Sequence, residues 1–373
     1  MDIDALVVGA GISGLTIAER LANFGKKVHV IDKRNHIGGN CYDFYNEDGI
    51  LVSKYGAHLF HTNYEDVWEY VNKFSEFTPY QHKVLASVDG KLVPIPVNIK
   101  TVNMIFGLNI QNEEEMDEWL IKNQIKSDNP QNGEEAALSR VGKVLYEKMF
   151  RNYTKKQWDK YPEELDPSVL NRIPVRNNFD DRYFSDTYQG QPKEGYTKLF
   201  ERMIDNPNIT LSLSTDFFEA KESLPSHKWL FYTGPIDQYF DFKFSNINKL
   251  EYRSIRFEFE TYDKEHYQNN SVINYPNENE FTRIVEYKYF TGQKHPKTTI
   301  SKEFSVDYKP GINDPYYPVP NPQNQEIFEK YQEEAKRLEG DGIYFVGRLA
   351  NYKYFNMDQA FRNALVLFGD LTI

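Results

Sequence analysis

The chain has 373 residues, with 44 Lys or Arg against 55 Asp or Glu, so its formal net charge is −11. This length predicts two or three domains, and the negative charge argues against a nucleic-acid or anionic-membrane surface. Tyrosine and phenylalanine are in excess, with 27 and 26 residues, which suits contacts with sugars or flat rings.

The N-terminal segment predicts a βαβ unit. An apolar strand, a glycine turn, an amphipathic helix and a second apolar strand follow one another up to Asp32. Gly9, Gly11 and Gly14 form G-x-G-x-x-G at the turn. Such glycines let backbone approach a pyrophosphate, the helix start offers free N–H groups, and the acid can accept ribose hydroxyls. We therefore expect a bound dinucleotide.

Two further glycines favour one dinucleotide over another. Gly38 and Gly39, in KRNHIGGN, form a second turn just after Asp32, and this resembles the extended FAD fingerprint of glutathione-reductase-type flavoproteins. No second G-x-G-x-x-G occurs later in the sequence, so a dedicated nicotinamide domain is not expected. FAD is therefore preferred to NAD.

The middle of the chain predicts two inserted regions. From about residue 63 to 169, apolar residues such as Trp68 and Val71 recur at helical spacing. Between residues 250 and 306, four segments alternate apolar and charged residues, which predicts antiparallel strands with one solvated face. These segments are LEYRSIRFEFETYD, SVINYP, FTRIVEYKYF and TTISKEFSV.

The last segment, GIYFVGRLANYKYFNMDQAF, begins as an apolar strand and leads into a helical stripe that starts at Met357. The first and last predicted strands are both fully apolar, as strands of a buried parallel sheet are. We therefore predict that the last segment of the chain completes the first domain. We expect the helix start and Arg348 to face an anionic flavin or its pyrophosphate. The alternative is a surface arginine after a strand.

Cysteine usage and hydropathy bear on the compartment. Cys41 is the one cysteine, so no internal disulfide is possible, and MDIDALVVGAG lacks the features of a cleavable leader. No run approaches the roughly 18 apolar residues of a membrane span. We expect a cytoplasmic protein with neither membrane nor nucleic-acid partners.

Many separated segments resemble one family, the prokaryotic UDP-galactopyranose mutases. They occur in the family's order and cover nearly the whole chain. The matching segments are HIGGNCYD, KYGAHLFHT, NYTKKQW, NRIPVR, DDRYFSDTYQGQPKEGYTKL, YTGPIDQYFDF, LEYRSIRFE, FTRIVEYKYF, DPYYPV and GRLANYKYFNMDQ.

The resemblance implies an α/β fold in three parts. They are a discontinuous glutathione-reductase-type FAD-binding Rossmann domain (1–76, 192–240 and 322–373), an inserted helical substrate domain (77–172) and an antiparallel β-sheet domain (173–191 and 241–321). A homodimer is expected by analogy with relatives.

The resemblance also implies the chemistry. Such enzymes interconvert UDP-galactopyranose and UDP-galactofuranose without net redox change, for galactofuranose glycan synthesis. Reduced FAD would use its N5 as a nucleophile on the anomeric carbon. The oxidised enzyme would then be inactive, and an external reductant such as NAD(P)H would be needed.

Residue roles follow from the same resemblance. It implies cofactor contacts by Gly9, Gly11, Ser13, Gly14, Asp32, Lys33, Gly39, Asn40, His58, Leu59, Phe218, Arg348, Asn356 and Met357. It implies substrate contacts by Tyr153, Thr154, Trp158, Arg172, Tyr183, Asn274, Arg283, Tyr317 and Tyr354. The tyrosines of the last segment are accordingly expected to face ligand rather than core.

Two arginines and a histidine are the expected catalytic groups. Arg172 and Arg283 match diphosphate-binding arginines of the family, and His61 matches a residue near the reactive edge of the flavin, where it can handle the N5 proton. The simpler alternatives are a salt bridge within the helical region for Arg172 and a cross-strand pair with a glutamate for Arg283.

The spacing of His58 and His61 raises a metal pair as an alternative. No third ligand has a metal-like spacing, so no metal is expected, and the resemblance implies that His58 backs the flavin. A packed, hydrogen-bonded histidine is the plain alternative for either residue.

Some positions depart from the family pattern. Asn356 stands where the family usually has Asp, Phe355 often replaces Tyr, and Asp159 follows Trp158 where Gly is usual. Three alternatives stay open: a mutase for another UDP-hexose such as UDP-N-acetylgalactosamine, an FAD-dependent amine or alcohol oxidoreductase on the same scaffold, and a nucleotide-sugar binding protein without catalysis.

Overall fold

The computed structural model describes residues 2–244 and 249–371. Its strands are β1 Ala5–Val8, β2 Val28–Ile31, β3 Asp43–Tyr45, β4 Leu51–Ser53, β5 Phe60–Thr62, β6 Phe77–Pro79, β7 Val84–Val88, β8 Lys91–Ile95, β9 Tyr188–Pro192, β10 Ile209–Ser212, β11 Trp229–Tyr232, β12 Tyr252–Tyr262, β13 Val272–Asn274, β14 Arg283–Glu286, β15 Thr298–Asp307, β16 Tyr317–Pro318 and β17 Ile343–Phe345.

The α-helices connect and cover these strands. They are α1 Ile12–Asn23, α2 Glu65–Val71, α3 Ile99–Phe106, α4 Glu113–Asn123, α5 Gly133–Leu145, α6 Asn152–Trp158, α7 Ser168–Asn171, α8 Tyr196–Met203, α9 Phe217–Ala220, α10 Ile236–Tyr239, α11 Lys288–Thr291, α12 Pro322–Leu338 and α13 Met357–Asp370. Within the described ranges, no helix is long and apolar enough to cross a membrane.

A five-stranded parallel sheet carries the first and last segments of the chain. Its strand order is β10-β2-β1-β11-β17, and every neighbouring pair is parallel. The apolar residues of β1 are buried because both faces of a parallel sheet are covered. β17 lies beside β11, so the last strand returns to the first sheet, as predicted.

The second sheet has seven strands in the order β16-β12-β15-β14-β13-β7-β8. β12 and β15 pair antiparallel along most of their length, from Arg253 opposite Asp307 to Tyr262 opposite Thr298. This pairing confirms the alternation-based strand predictions for these two segments. One neighbouring pair, β13 with β7, is parallel, so the sheet is mixed rather than fully antiparallel.

The strand predicted through FTRIVEYKYF is too long. β14 ends at Glu286, and α11 follows. The Lys288 side chain is buried and its Nζ donates to the Lys297 carbonyl at 3.0 Å, while Gly292 takes a left-handed φ of 64° at the helix end. The buried lysine holds α11 in place after the strand, and Gly292 ends α11.

The predicted helical region also needs correction. β7 and β8 lie inside residues 77–172, form a hairpin and join the seven-stranded sheet. β7 alternates buried and partly exposed residues, a period-two signal too short to stand out between helical segments. β9, which crosses the predicted boundary between 191 and 192, instead pairs with β5 and β6 in a separate sheet.

Five of the described helices begin after an asparagine, and α3, α4, α5 and α12 share the same capping hydrogen bond. In these four, the side-chain oxygen accepts a hydrogen bond from the backbone N–H of the third helical residue and so satisfies a free donor of the first turn. The four asparagines are Asn98, Asn112, Asn132 and Asn321. These caps set the starts of α3, α4, α5 and α12.

Candidate active site

Two adjoining cavities contain most of the predicted site residues. The smaller, of about 240 Å³, lies at the carboxyl ends of β1 and β11; we call it the dinucleotide pocket. Predicted cofactor residues that line it are Gly9, Gly11, Ser13, Asp32, Lys33, Gly39, Asn40, His58, Phe218, Arg348, Asn356 and Met357. The first turn, the second glycine turn and the last segment of the chain therefore meet here.

Close backbone packing explains two of the glycines. A Cβ on Gly14 would lie 1.9 Å from the Gly9 carbonyl oxygen, and a Cβ on Gly9 would lie 2.0 Å from Thr233 Oγ1. No side chain fits at such distances, so α1 can start directly against β1. Gly14 does not line the pocket itself; it permits the tight turn that shapes it.

The carboxylate of Asp32 organises the turn. Its Oδ2 accepts a hydrogen bond from the Ala10 N–H at 2.7 Å and its Oδ1 accepts one from the Arg34 N–H at 2.8 Å. The remaining lone pairs can still accept ribose hydroxyls. The second glycine turn is tied to the first because the Gly38 N–H donates to the Ala10 carbonyl at 2.8 Å.

Arg34 is a pocket residue that sequence reasoning missed. Its guanidinium donates to Asp314 at 2.8 Å and to Asn40 at 3.0 Å, and it lies 4.4 Å from the centre of the Tyr55 ring. Lys33, which was predicted, is more than half exposed. Asp314 pairs with both cations, since its Oδ1 lies 3.0 Å from Lys33 Nζ, and the Arg34 side chain is the more buried of the two.

The larger cavity, which we call the cleft, has a volume of about 520 Å³. All the predicted substrate residues line it: Tyr153, Thr154, Trp158, Arg172, Tyr183, Asn274, Arg283, Tyr317 and Tyr354. His61 lies here too, and so does Leu59, which was predicted to touch the cofactor but does not line the dinucleotide pocket. α6 reaches the cleft from α5 through a π-helical turn, Tyr146–Arg151, a feature frequent at functional sites.

Three guanidinium groups converge on Tyr354. Arg172 lies 5.0 Å and Arg348 lies 5.1 Å from the centre of the Tyr354 ring. Burial alone would raise the pKa of the Tyr354 hydroxyl, but Arg172, Arg348 and Arg283 together outweigh burial and lower that pKa. This part of the cleft is therefore strongly electropositive in an acidic chain, and it suits an anionic ligand.

Arg172 and Arg283 differ in how they are held. Among the described residues Arg172 has no carboxylate partner, so the expected alternative of a helical-region salt bridge is wrong. Arg283 is opposite Glu303 in the β14–β15 ladder, and its Nε donates to Glu303 Oε2 at 2.6 Å. The cross-strand glutamate pair is therefore present, and Arg283 lines the cleft as well.

Arg348 is not simply a surface arginine after a strand. It donates to the main-chain carbonyls of Tyr316 and Phe355, which anchors the segment between β17 and α13. Arg348 belongs to the set that lines both cavities: Asn40, His58, Tyr316, Arg348, Asn356 and Met357. The dinucleotide pocket and the cleft therefore share one wall.

The tyrosines of the last segment do not all face the cleft. Tyr354 does, but Tyr352 is buried and donates from its hydroxyl to the Glu251 carbonyl at 2.6 Å, and Tyr344 stacks on Phe231. The expectation that these tyrosines face ligand rather than core is wrong for both. Tyr352 has a φ of 44°, and the turn there directs its ring into the core.

Trp158 and Tyr317 form a nearly buried part of the cleft wall. Their ring centres are 4.9 Å apart in an edge-to-face arrangement, and the Tyr317 hydroxyl donates to the Gln157 carbonyl at 2.9 Å. This hydroxyl is thus engaged with α6. The pair offers ring edges and faces to a ligand rather than free polar groups.

His61 is held by a carboxylate that the sequence did not reveal. Its Nδ1 lies 3.0 Å from Asp186 Oδ2, and its ring stacks on Phe184 with centres 3.6 Å apart. The hydrogen bond from His61 lowers the pKa of Asp186. Nδ1 is thereby occupied, and Nε2 is the ring atom available for proton transfer.

The other two histidines of the cleft are held neutral. Burial lowers the pKa of His58 to about 4 and that of His82 to about 3. His58 Nδ1 hydrogen-bonds to the Gly56 carbonyl at 2.9 Å. Within residues 2–244 and 249–371, no group of three His, Cys, Asp or Glu residues is arranged to hold a metal.

Some buried polar atoms along the cleft lack partners among the described residues. They are His82 Nδ1, Asn274 Oδ1, Glu303 Oε1 and Asp358 Oδ1. Buried polar atoms without hydrogen bonds are uncommon, because each costs free energy. Carboxylate and amide oxygens in these positions suit a ligand with hydroxyl donors.

Comparison with known proteins gives independent findings. A sequence model described as UDP-galactopyranose mutase matches residues 148–354, and one described as an NAD(P)-binding Rossmann-like domain matches residues 7–74. A dTDP-fucopyranose mutase of Escherichia coli is 40% identical over 368 residues, which cover 96% of this chain and 96% of the relative. A probable UDP-galactopyranose mutase of Klebsiella pneumoniae is 40% identical over 364 residues, which cover 96% and 92%.

A solved structure agrees in fold. The crystal structure of a reduced UDP-galactopyranose mutase matches 100% of this chain and 96% of its own with a TM-score of 0.76, at 19% identity. The Rossmann sheet, the shared-wall pocket and the electropositive cleft thus define a dinucleotide-dependent enzyme, and the matches support a flavin cofactor. The chain belongs to the UDP-galactopyranose mutase family.

Proposed function

We propose that this enzyme interconverts UDP-galactopyranose and UDP-galactofuranose, with FAD in the dinucleotide pocket and the nucleotide sugar in the cleft. The observation that carries the proposal is the wall shared by the two cavities, with Arg172 and Arg283 on the cleft side. Membership of the family supports the same reaction.

FAD fits the pocket because the backbone around Gly9 and Gly14 is too close-packed for side chains and leaves main-chain groups for a pyrophosphate. Asp32 would hold the adenosine ribose, and Arg348 and the start of α13 would lie by the ring system. When bound and reduced, the flavin would supply nucleophilic chemistry at the anomeric carbon, with UDP as the leaving group. We propose that an external reductant such as NAD(P)H keeps it reduced.

The arginines would bind the diphosphate. At about 4 Å and an effective dielectric of about 20, each unit charge pair contributes on the order of 4 kcal/mol before desolvation. Arg172 carries no competing carboxylate, and Arg283 keeps its Nη atoms without protein partners among the described residues. Both can therefore stabilise bound substrate and the UDP that leaves the anomeric carbon.

The unpartnered acceptors would orient the sugar. Asn274 Oδ1 and Glu303 Oε1 flank Arg283 on neighbouring strands, so they would receive hydroxyl hydrogen bonds beside the diphosphate. His61, fixed through Nδ1 by Asp186, would accept or donate a proton at Nε2. Trp158 and Tyr317 would cover the ligand and limit the access of water.

A second substrate is favoured by one observation. The E. coli relative named as a dTDP-fucopyranose mutase matches with the same 40% identity as the K. pneumoniae relative. Asn356 removes the negative charge that the family usually places between the pockets. We therefore keep another nucleotide hexose as the alternative substrate of the same ring interconversion.

The test incubates purified, FAD-loaded protein with UDP-galactopyranose or with dTDP-fucopyranose, with and without dithionite, and separates products by chromatography. We expect UDP-galactofuranose only under reduction. Turnover of the dTDP sugar alone would move the proposal to the second substrate. Flavin bleached by an amine or alcohol would indicate an oxidoreductase, and UDP binding without product would indicate a binding protein.

We propose a reducing, cytoplasmic location for this reaction. Support comes from Cys41, a free thiol that is buried and has no second cysteine to pair with. Fractionation of the native cells with an antibody to the chain would test the location.

A further inference from the structure

A second arginine holds the backbone on both sides of Arg172. Arg140, on α5, donates from Nη1 to the Leu170 carbonyl at 3.1 Å and from Nη2 to the Ile173 carbonyl at 2.6 Å. These two carbonyls bracket Arg172 in sequence. One planar guanidinium therefore fixes both ends of the segment that presents the diphosphate arginine.

Arg140 has no other assigned role. It lines neither the cleft nor the dinucleotide pocket, and among the described residues it makes no salt bridge with a carboxylate. Arg140 is half-buried, and it donates to two main-chain carbonyls of one short segment. Hydrogen bonds from charged donors are strong, so Arg140 contributes mainly to the position of that segment.

Core packing of Val169 and Leu170 also holds the segment, but its helix is short. α7 has only four residues, too few to be stable alone. It packs against α5 at Gly133, where an added Cβ would lie 2.8 Å from Leu170 Cδ2. The Arg172 guanidinium itself rests on the Tyr354 ring rather than on a carboxylate, so its location depends on the backbone that carries it.

We infer that Arg140 is a positioning residue for substrate binding: it holds the end of α7 so that Arg172 faces the diphosphate. This inference rests on the proposed function, in which Arg172 binds that group. A guanidinium displaced by an ångström loses much of its geometry with a phosphate oxygen. Loss of Arg140 should therefore weaken nucleotide binding although Arg140 never touches the nucleotide.

The test is a double-mutant cycle read by calorimetric titration of UDP into the FAD-loaded protein. We expect Arg140→Gln to weaken UDP binding about tenfold, and Arg140→Lys, which has a single donor group, to weaken it by less. In an Arg172→Ala background, Arg140→Gln should cause no further loss, because nothing is left to position. Flavin content and the thermal midpoint verify that each variant is folded.

Arg202→Gln is the matched control. Arg202 also donates to a main-chain carbonyl, that of Phe74 at 3.2 Å, but it lies away from the cleft. Its replacement should leave UDP affinity unchanged. If Arg140→Gln does not fold, the double-mutant cycle is measured with Arg140→Lys in its place.

The outcomes separate the two claims. If Arg140→Gln lowers UDP affinity equally with and without Arg172, the loss is a general destabilisation and the inference is overturned. The inference is also overturned if Arg140→Gln leaves UDP affinity unchanged while Arg172→Ala lowers it. If Arg172→Ala binds UDP as well as the unchanged protein, the diphosphate assignment of the proposed function fails, and the positioning role fails with it.

Discussion

The two cavities are built by different physics. The dinucleotide pocket depends on close packing, since Gly14 lies against the Gly9 carbonyl and Gly9 lies against Thr233 with no room for a side chain. The cleft depends on side-chain charge, with Arg172, Arg283 and Arg348 brought from separate parts of the chain. A site formed by packing fails when an atom is added, whereas a site formed by charge fails when a partner is removed.

The largest effect is expected at the packed glycine. Gly14→Val would place Cβ 1.9 Å from the Gly9 carbonyl oxygen, so α1 must move away from β1. We expect loss of flavin binding and a destabilisation of about 3 kcal/mol or more. Visible absorbance of the purified protein and urea unfolding measure the two effects.

Gly340 supplies the control for the glycine substitution. No atom lies within 4 Å of a Cβ added there, so Gly340→Ala should leave flavin content unchanged. Yellow, normally stable Gly14→Val protein would contradict the packing account of the pocket.

Removal of one charge from the cleft comes next. Arg283→Met leaves Glu303, only 2% exposed, without its partner, and such uncompensated burial costs about 3 kcal/mol. We expect that loss of stability in urea unfolding, together with weaker binding of UDP. Glu303→Gln in the same chain should restore part of the stability but not the UDP affinity.

The same sheet offers an exposed pair for comparison. Arg256 and Glu258 form a salt bridge in which both side chains are about half exposed, so Arg256→Met should cost less than about 1 kcal/mol. Similar losses for Arg283→Met and Arg256→Met would mean that burial does not distinguish the two pairs.

Acid should destabilise the cleft through His82. Its pKa falls from an ordinary 6.5 to about 3 on folding, because of burial and the charge of Arg283. Below about pH 6.5 the unfolded chain binds a proton that the folded chain does not, so stability decreases as the pH is lowered, by about 3 kcal/mol down to about pH 4. Urea unfolding across this interval measures the slope.

His82→Phe keeps a ring beside Tyr183 and Phe290 and should flatten that slope. His227→Phe, at an exposed position, controls for the loss of any histidine. An unchanged slope in His82→Phe would assign the acid sensitivity to other groups.

The smallest effect is expected at Asp32. Asp32→Asn replaces one of two acceptors of backbone N–H groups with a donor, which should cost about 1 kcal/mol and weaken flavin binding several-fold in a fluorescence titration. Asp4→Asn is the control, since Asp4 also accepts a backbone N–H, that of Lys27, on the same sheet but outside the pocket. Equal effects of the two changes on flavin affinity would contradict the role of Asp32.

The βαβ turn could be predicted from the sequence, because the contacts that Gly14 and Asp32 make at that turn are local to it. It named Lys33 and missed Arg34, although folding brings the distant Asp314 within reach of both cations. Sequence motifs report on backbone geometry close to the motif, and they give no information about a carboxylate that is distant in sequence.

The cleft was predicted through family resemblance rather than pattern. Period and spacing alone favoured structural roles for Arg172 and Arg283, and the register that sets Glu303 opposite Arg283 is a tertiary property. Tyr352 and Tyr354 are two positions apart, and the sequence does not distinguish their environments. A positive φ at Tyr352 nevertheless directs the Tyr352 ring into the core. Hydrophobic patterns cannot resolve such local turns.

The wall between the cavities has a thermodynamic consequence. Arg348, His58 and Met357 line both spaces, so any shift of these side chains on loading one ligand changes the contacts offered to the other. If bound flavin changes the affinity for UDP by some factor, bound UDP must change the affinity for flavin by the same factor. The dissociation constant of the flavin in saturating UDP should accordingly differ from its value without UDP by that same factor.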